Sequence, residues 1–220
     1  MFLCAKCGVQ ACRTREKRAL PKNCPVREEE ILSEAMEEYQ KPENRRFYIT
    51  ASEIESLGYL QWSRVKETMV LCRRLGYRRI GLAFCGGLKK EAKVLSEILE
   101  RNDFEVISVM CKVGGCDKCE SGLDDAYKLH PGEFEAMCNP IFQAKLLNSQ
   151  NCALNIALGL CVGHDSLFYR YSDAFVTTLV AKDRVLAHNP VGAIYQNEGY
   201  YKTRLDIGEE ALVRRETKKA

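Results

Sequence analysis

Alternating strand and helix patterns in the second half of the chain limit the fold more than any other sequence feature. Residues 80–84 and 104–110 have strand patterns, and between them an apolar stripe recurs at helical spacing. Further apolar runs over 153–160 and 176–181 flank a short aromatic helix pattern. A strand, a helix and a parallel strand form a right-handed crossover. We therefore predict an α/β fold, a Rossmann-like three-layer sandwich with a mainly parallel sheet and a small N-terminal cysteine-rich metal-binding knuckle.

The segment before the sheet contains further helical patterns. Apolar residues recur at helical spacing over 28–39, and Pro42 is expected to end this helix. Capping-box patterns that begin at Thr50 and Ser52 predict a short helix that stops at Gly58.

The chain of 220 residues is long enough for one sizeable α/β core with a small appendage. We predict a knuckle over 1–27, an α/β domain over 28–208 with a metal site at the carboxyl edge of its sheet, and a charged tail over 209–220. The net charge of +3 does not indicate a class of partner. No apolar run approaches the ~20 residues that span a bilayer, and residues 1–26 do not resemble a signal peptide. We therefore expect a cytoplasmic protein without a membrane partner.

Twelve cysteines are the most unusual feature of the composition. In an exported protein they would indicate disulfides, but the reducing compartment expected here favours metal ligation or redox chemistry. Two of the thiols are expected to be structural. Cys72 lies on the apolar face of a helix that stops at Gly76, and Cys152 precedes a strand at the sheet edge opposite Cys161.

The N-terminal cysteines form the array C-x2-C-x4-C-x11-C, which consists of Cys4, Cys7, Cys12 and Cys24. Two cysteines three residues apart can present both sulfurs to one ion, and Gly8 permits the tight turn that this requires. Zinc and a 4Fe-4S cluster both accept this spacing. The basic residues between the last two cysteines are typical of a solvated loop, and no aromatic-interleaved motif favours nucleic-acid binding.

A second group of cysteines follows the predicted strands. Cys85, Cys111 and Cys161 each come directly after a strand, and Cys138 precedes a helix that Asn139 is expected to cap. Loops that follow parallel strands converge at one edge of a sheet. We therefore predict that these four cysteines share one metal site.

The spacing of neighbouring cysteines supports another partition. Cys111, Cys116 and Cys119 form C-x4-C-x2-C, a spacing also found in iron-sulfur proteins, with Cys138 as the fourth ligand. In this partition the two remaining strand-end cysteines are free, reactive thiols. We favour the first partition because metal ligands must meet in space, and we keep Cys116 and Cys119 as additional or alternative ligands.

Several residues other than cysteine are candidates for this site. Gly86, Gly87 and Gly163 lie in loops that open helices, where backbone N–H groups can face a bound cofactor. His164 and His188 are candidate acid–base catalysts, because an imidazole exchanges protons near neutral pH. The alternative for each histidine is a capping or packing role.

Five motifs carry a resemblance to a known family: PKNCP (21–25), GLAFC (81–85), CNPI (138–141), GLCVGHDSLF (159–168) and KDRVLAHNP (182–190). The chain resembles domain of unknown function 1847, a family of cysteine-rich bacterial and archaeal proteins predicted to bind metal. The resemblance extends over nearly the full length of the chain. It implies metal or iron-sulfur binding in the cytoplasm of an anaerobe, with no established reaction.

The resemblance also implies a set of ligand candidates. They are Cys4, Cys7, Cys12, Cys24, Cys85, Cys111, Cys138 and Cys161. Cys116 and Cys119 depart from the family pattern.

Three functional hypotheses follow. The first is an iron-sulfur protein with one or two 4Fe-4S clusters, which acts with an electron-transfer partner or on a small-molecule substrate; Lys182 and Arg184 are candidates to bind an anionic substrate. The second is a non-enzymatic zinc-binding or metal-handling protein. The third is a thiol enzyme with Cys161 or Cys85 as nucleophile. The sequence does not decide whether the protein is an enzyme or which oligomer it forms.

Overall fold

The computed structural model describes residues 1–14 and 16–208. Its contacts divide the chain into two compact units, one of Met1–Trp62 and one that begins at Ser63. The helices that precede Ser63 thus belong to the same unit as the cysteine-rich segment. The charged tail predicted over 209–220 lies outside the described residues.

The first unit consists of short 3-10 turns and two α-helices. The turns lie at Cys4–Lys6, Ala11–Arg13, Lys17–Ala19 and Pro25–Arg27, and the helices are α1 (Glu29–Glu38) and α2 (Pro42–Gly58).

The prediction that a short helix begins near Thr50 was wrong. Pro42 is the first residue of α2, where its missing N–H costs nothing, and the helix continues to Gly58. The hydroxyl of Thr50 donates to the carbonyl of Arg46, one turn earlier in the same helix. The capping-box pattern therefore lies inside a helix rather than at its start.

The second unit has the predicted α/β fold. Its elements are α3 (Arg64–Leu75), β1 (Arg79–Phe84), α4 (Lys89–Glu100), β2 (Glu105–Met110), α5 (Pro140–Ser149), β3 (Leu154–Leu158), α6 (His164–Tyr171), β4 (Phe175–Val180) and α7 (Val191–Tyr195). All strand pairs are parallel, in the order β2-β1-β3-β4. Right-handed crossovers in this order place α4 on one face of the sheet and α5 and α6 on the other, where these two helices pack together. The Rossmann-like prediction is confirmed.

The two central strands form the core. All five residues of β3 are buried, and so are the four central residues of β1. Asn155 is a fully buried polar residue of β3, and Gly81 of β1 leaves room for it: a Cβ at Gly81 would lie 2.0 Å from Asn155 Oδ1. The central strands are buried on both faces and, apart from Asn155, hydrophobic, which is typical of a parallel sheet.

Backbone hydrogen bonds extend the sheet at its carboxyl edge. The N–H of Cys85 donates to Leu158 O at 3.1 Å, and the N–H of Cys111 donates to Phe84 O at 2.9 Å. The N–H of Gly159 donates to Val180 O at 2.8 Å. The residues directly after the strands are therefore held in register at one edge.

Among the described residues, no helix is long and apolar enough to cross a membrane.

Candidate metal centre

Cys85 and Cys111 are the first residues after β1 and β2. Both are buried, with exposed fractions of 8% and 4%. The N–H of Gly86 donates to Cys111 Sγ at 3.3 Å, so the backbone after the first strand contacts the thiol after the second. The two neighbouring strands thus bring their following residues to one place.

Cys138 lies at the same edge, at the end of the long excursion between β2 and α5. As predicted, Asn139 caps α5: its side chain accepts from the N–H of Phe142 at 3.0 Å, and Pro140 is the first helical residue. The N–H of Asn139 also donates to Cys111 O at 2.7 Å. This bond fixes the start of α5, and with it Cys138, beside the end of β2.

Cys161 lies in the turn between β3 and α6 and is partly exposed. Its carbonyl accepts from the N–H groups of His164 and Asp165, both at 3.0 Å. Gly163 in this turn has a φ of 82°, a conformation that glycine adopts without strain. The turn presents the thiol of Cys161 at the same sheet edge as the other three.

The sulfurs are close enough to influence one another. The Sγ atoms of Cys111 and Cys138 are 3.9 Å apart. The thiol of Cys85 interacts electrostatically with that of Cys111, and the guanidinium of Arg184 interacts with Cys161, Cys85 and Cys138. The structure therefore brings Cys85, Cys111 and Cys138 close together, and Arg184 links Cys161 to the same edge.

The contact between Cys111 and Cys138 shifts the pKa values of the two thiols in opposite directions. The hydrogen bond between Cys138 and Cys111 lowers the pKa of Cys138 to about 5, and the positive charges of Lys112 and His164 act in the same direction against the effect of burial. The same hydrogen bond, together with burial, raises the pKa of Cys111 in spite of the Gly86 N–H. Cys138 is therefore the more acidic thiol of the pair.

Two cations after β4 contact the other two sulfurs. Lys182 Nζ lies 3.4 Å from Cys85 Sγ, and Arg184 Nη2 lies 3.0 Å from Cys161 Sγ. The contact with Cys161 raises the pKa of Arg184. These side chains, which the sequence suggested for an anionic substrate, contact two of the thiols.

The loop that carries these cations is held by its own residues. Asp183 Oδ1 accepts from the N–H groups of Val185 and Leu186, and His188 Nδ1 accepts from the N–H of Asp183 at 3.2 Å. His188 therefore has a positioning role in this loop, and its acid–base role stays a prediction. His164 lies beside Cys138, and its Nδ1 is buried without a hydrogen-bond partner among the described residues.

The three glycines predicted to bind a cofactor all lie at this edge. Gly86 donates its N–H to a sulfur, as described above. A Cβ on Gly87 would lie 3.4 Å from Lys182 Nζ and 3.9 Å from Cys85 Sγ. Gly163 has open space around its Cα: a Cβ added there would have no atom within 4 Å.

Sequence reasoning missed Gln143. This residue of α5 is completely buried, and its Nε2 donates to Val109 O at 2.8 Å and to Phe84 O at 3.3 Å. Those carbonyls precede Cys111 and Cys85. The side-chain amide of Gln143 therefore hydrogen-bonds to both β1 and β2 near their carboxyl ends, next to the residues that carry two of the thiols. The only sequence signal is a polar residue within the apolar run IFQAKLL.

Lys112 was also missed, although it directly follows a predicted ligand. Its ammonium donates to Ala136 O, and this contact holds it near Cys138. A contact between residues 24 positions apart gives no local sequence signal.

Cys116 and Cys119 lie in the excursion between β2 and α5. Cys119 Sγ is 3.8 Å from Asp125 Oδ1, and Cys116 Sγ is 3.8 Å from Gly114 O. The excursion is organised around the ammonium of Lys128, which is 6% exposed and contacts Asp117 and Asp125 at about 3 Å. Both carboxylates raise the pKa of Lys128. The contacts of Cys119 are therefore with this ion-pair network.

The two cysteines expected to be structural are buried. Cys72 on α3 is 1% exposed, and burial raises the pKa of its thiol to about 12. Cys152 is 8% exposed and interacts with Arg79 and Glu105, which begin β1 and β2. Burial raises the pKa of Cys152 to about 11. Cys152 thus lies at the opposite edge of the sheet, as predicted.

In the first unit, three of the four N-terminal cysteines line one open cavity of about 250 Å³: Cys4, Cys7 and Cys24. Two short turns form its wall. One is closed by a hydrogen bond from Cys7 N–H to Cys4 O, and the other by one from Cys24 N–H to Pro21 O. Cys12 is exposed on the adjacent turn Ala11–Arg13 and is not among the described residues that line the cavity.

No group of three or more His, Cys, Asp or Glu side chains is arranged to hold a metal ion within residues 1–14 and 16–208. The sheet-edge thiols are instead paired with each other and with cations, through the contacts given above.

Comparison with known proteins identifies the family. A family model described as a protein of unknown function (DUF1847) matches residues 24–179. An uncharacterized protein of Methanocaldococcus jannaschii is 43% identical over 206 residues, which cover 94% of this chain and 99% of that protein. No solved structure gave a significant match. The chain therefore belongs to DUF1847, a cysteine-rich family of proteins of unknown function.

Proposed function

We propose that this protein binds an iron-sulfur cluster through Cys85, Cys111, Cys138 and Cys161, which we call the rim cysteines. The observation that carries the proposal is the delivery of four thiols to one sheet edge by β1, β2, β3 and the start of α5. A 4Fe-4S cluster takes one thiolate at each iron. The donor set therefore fits such a cluster in kind and in number.

The charges at the rim support the same proposal. A cluster bound by four thiolates is anionic, and it is stabilised by donors directed at its sulfurs. Lys182 and Arg184 each contact a rim sulfur, and the N–H of Gly86 donates to a third. These groups would offset the negative charge of a bound cluster. The buried His164 Nδ1 offers a further group with an unused hydrogen-bonding capacity.

A bound cluster would supply one-electron transfer. The protein would hold it in a partly water-excluded site, since Cys85 and Cys111 are buried while Cys161 and Cys138 are partly exposed. The exposed side is then the side on which an electron-transfer partner or a small molecule approaches. His164 lies beside Cys138 and would be the candidate group for proton exchange there.

Zinc binding at the same cysteines is the second candidate. Four sulfurs at about 2.3 Å from one zinc ion lie about 3.8 Å from each other in a tetrahedron. The 3.9 Å between Cys111 Sγ and Cys138 Sγ matches this spacing. Cysteines of a cubane bind different irons, so their sulfurs are spread more widely.

The N-terminal cysteines would form a second centre. Cys4, Cys7 and Cys24 share one cavity, and Cys12 lies on the next turn. Closure of that turn would supply the fourth thiol that zinc or a cluster needs. The abundance of free thiols supports a reducing compartment, for which we propose the cytoplasm.

Anaerobic purification followed by iron, zinc and acid-labile sulfide analysis tests the proposal. An iron-sulfur protein is expected to be brown, with iron and sulfide in equal amounts, and to lose its colour in air. A zinc protein is expected to be colourless and without sulfide. Recovery of a chain with neither metal would contradict both candidates.

A pair of double variants separates the two ligand partitions. Cys85→Ser with Cys161→Ser is expected to remove the metal of the rim, whereas Cys116→Ser with Cys119→Ser is expected to retain it. The contacts of Cys119 with the excursion's ion pairs support this expectation. Loss of the rim metal in the second double variant, with retention in the first, would establish the competing partition.

A further inference from the structure

We infer that Cys111 and Cys138 form a redox-active dithiol that reduces low-molecular-weight disulfides and becomes a disulfide itself. Their Sγ atoms are 3.9 Å apart and in hydrogen-bond contact. Because the sulfurs are already this close, a small rotation of the two side chains is enough to form a disulfide bond. Among the described residues, no other pair of cysteines has its sulfurs in hydrogen-bond contact, so the geometry points to this pair.

The two thiols differ in accessibility. Cys138 is partly exposed, while Cys111 is 4% exposed and lies behind it at the end of β2. Dithiol exchange requires an accessible thiol that attacks the substrate and a second thiol that is protected until the mixed disulfide forms. Cys138 fits the first role and Cys111 fits the second.

Fixed structural elements hold Cys138 in the position of the attacking thiol. It directly precedes the ten-residue helix α5, whose N-terminus is positive. Lys112 and His164 both lie near its sulfur. The N–H of Asn139 is bonded to Cys111 O, which keeps the two residues side by side during the reaction.

The reaction takes place in two exchanges. The Cys138 thiolate attacks one sulfur of the disulfide; a Cys138–substrate S–S bond forms, the substrate's own S–S bond breaks and one substrate thiolate leaves. Cys111 then releases its proton to solvent and attacks Cys138 Sγ. A Cys111–Cys138 bond forms, the mixed disulfide breaks, and the second substrate thiolate leaves. The two protein thiols are thus oxidised by two electrons, and one disulfide is reduced to two thiols.

This chemistry also regulates the rim, and that part rests on the proposed function. A disulfide removes two of the four thiolates that would bind a metal. Metal and disulfide are therefore mutually exclusive: a loaded rim resists oxidation, and an oxidised rim cannot be loaded until it is reduced. The protein would then bind its metal only under reducing conditions.

Oxidised glutathione added to the metal-free full-length protein tests the inference, with peptide mapping by mass spectrometry as the readout. We expect a Cys111–Cys138 disulfide in the wild type. Cys111→Ser is expected to accumulate glutathione on Cys138, because the resolving thiol is missing. Cys138→Ser is expected to slow oxidation of Cys111 by about tenfold or more, because the buried thiol is a poor first nucleophile.

Cys116→Ser is the matched control, since it removes another partly exposed thiol that lies outside the rim. It is expected to leave the Cys111–Cys138 disulfide unchanged. Glutathione on Cys161 or on the N-terminal cysteines, with Cys111 and Cys138 still reduced, would overturn the inference. A disulfide between Cys138 and any other cysteine would overturn it as well.

The same assay with metal-loaded protein separates this inference from the proposed function. Protection of the pair by bound metal supports the regulatory part. If the disulfide forms equally fast in the loaded and the metal-free protein, then the metal is not held by these thiols, and the proposed function at the rim fails while the dithiol activity stands.

Discussion

The thiol of Cys138 shows how neighbouring groups change the pKa of one side chain. An ordinary cysteine is mostly protonated at neutral pH, whereas the hydrogen bond with Cys111 and the charges of Lys112 and His164 lower the pKa of Cys138 to about 5. Ionised thiols react with alkylating agents and neutral thiols do not. In the metal-free protein Cys138 should therefore react at a pH at which other thiols are silent.

We expect the rate at which iodoacetamide alkylates Cys138 to stay nearly constant from pH 8 down to about pH 6, and to fall as the pH passes through about 5. The sign follows from the lowered pKa: the thiolate is present above it and is lost below it. Cys72 is the internal reference, because burial raises its pKa to about 12 and keeps it unreactive in the folded protein. Mass spectrometry of the two peptides provides the rates. A tenfold fall in the Cys138 rate between about pH 8 and 7 would contradict the assignment.

Lys112→Met tests the electrostatic part of this result. The substitution removes a positive charge near Cys138 and is expected to move the midpoint of its alkylation profile to higher pH. Lys145→Met is the matched control, because this lysine is exposed on α5. An equal change in both variants would assign the effect to net charge rather than to the position of Lys112.

Gly159 is a second residue whose type is dictated by its surroundings. It has a φ of 63°, and a Cβ there would lie 2.0 Å from Leu88 Cδ1. Gly159→Ala is expected to lower the free energy of unfolding by about 1–3 kcal/mol, through backbone strain and overpacking. Gly163→Ala is the control for strain alone, since its φ is 82° but its surroundings are open. Urea denaturation is the measurement, and equal losses in both variants would contradict the packing argument.

Helix α5 connects the sheet to the rim. Its residue Gln143 donates to Val109 O and Phe84 O, the carbonyls below Cys111 and Cys85, while the helix start carries Cys138. Three of the four thiols therefore depend on the position of one helix. The fourth, Cys161, follows β3 and depends on the turn before α6.

Gln143→Leu is expected to weaken Co²⁺ binding at the rim by about 10- to 100-fold, because groups behind the ligands set their positions. Co²⁺ bound by thiolates gives an intense charge-transfer band, so absorbance measures both affinity and the number of thiolates. Asn155→Leu is the matched control: Asn155 is an equally buried amide in β3, and it bonds Ser172 away from the rim. If both variants lose affinity equally, Gln143 has only a structural role.

The strands and most helices were predictable because local patterns determine them. The continuous apolar run of β3 and the Asn139-Pro140 cap of α5 follow from their own residues. The start of α2 was missed because Pro42 can end one helix or begin the next, and the sequence does not distinguish the two cases. Polar residues in the middle of that helix then resembled a cap.

At the level of the whole chain, the parallel sheet explains why sequence could anticipate the rim. Parallel order places the ends of β1, β2 and β3 at one edge, so Cys85, Cys111 and Cys161 had to approach each other. Gln143 and Lys182 could not be assigned in this way. Their contacts join residues 34 and 97 positions apart, and such pairings emerge only when the chain is folded.

The central claim is that the rim holds a metal independently of the N-terminal cysteines. The direct test is anaerobic metal and sulfide analysis of the full chain with Cys4, Cys7, Cys12 and Cys24 all changed to serine. We predict that this variant keeps one centre, with about four irons and four sulfides per chain, or one ion if zinc is bound. A folded variant that contains neither iron nor zinc would contradict the account.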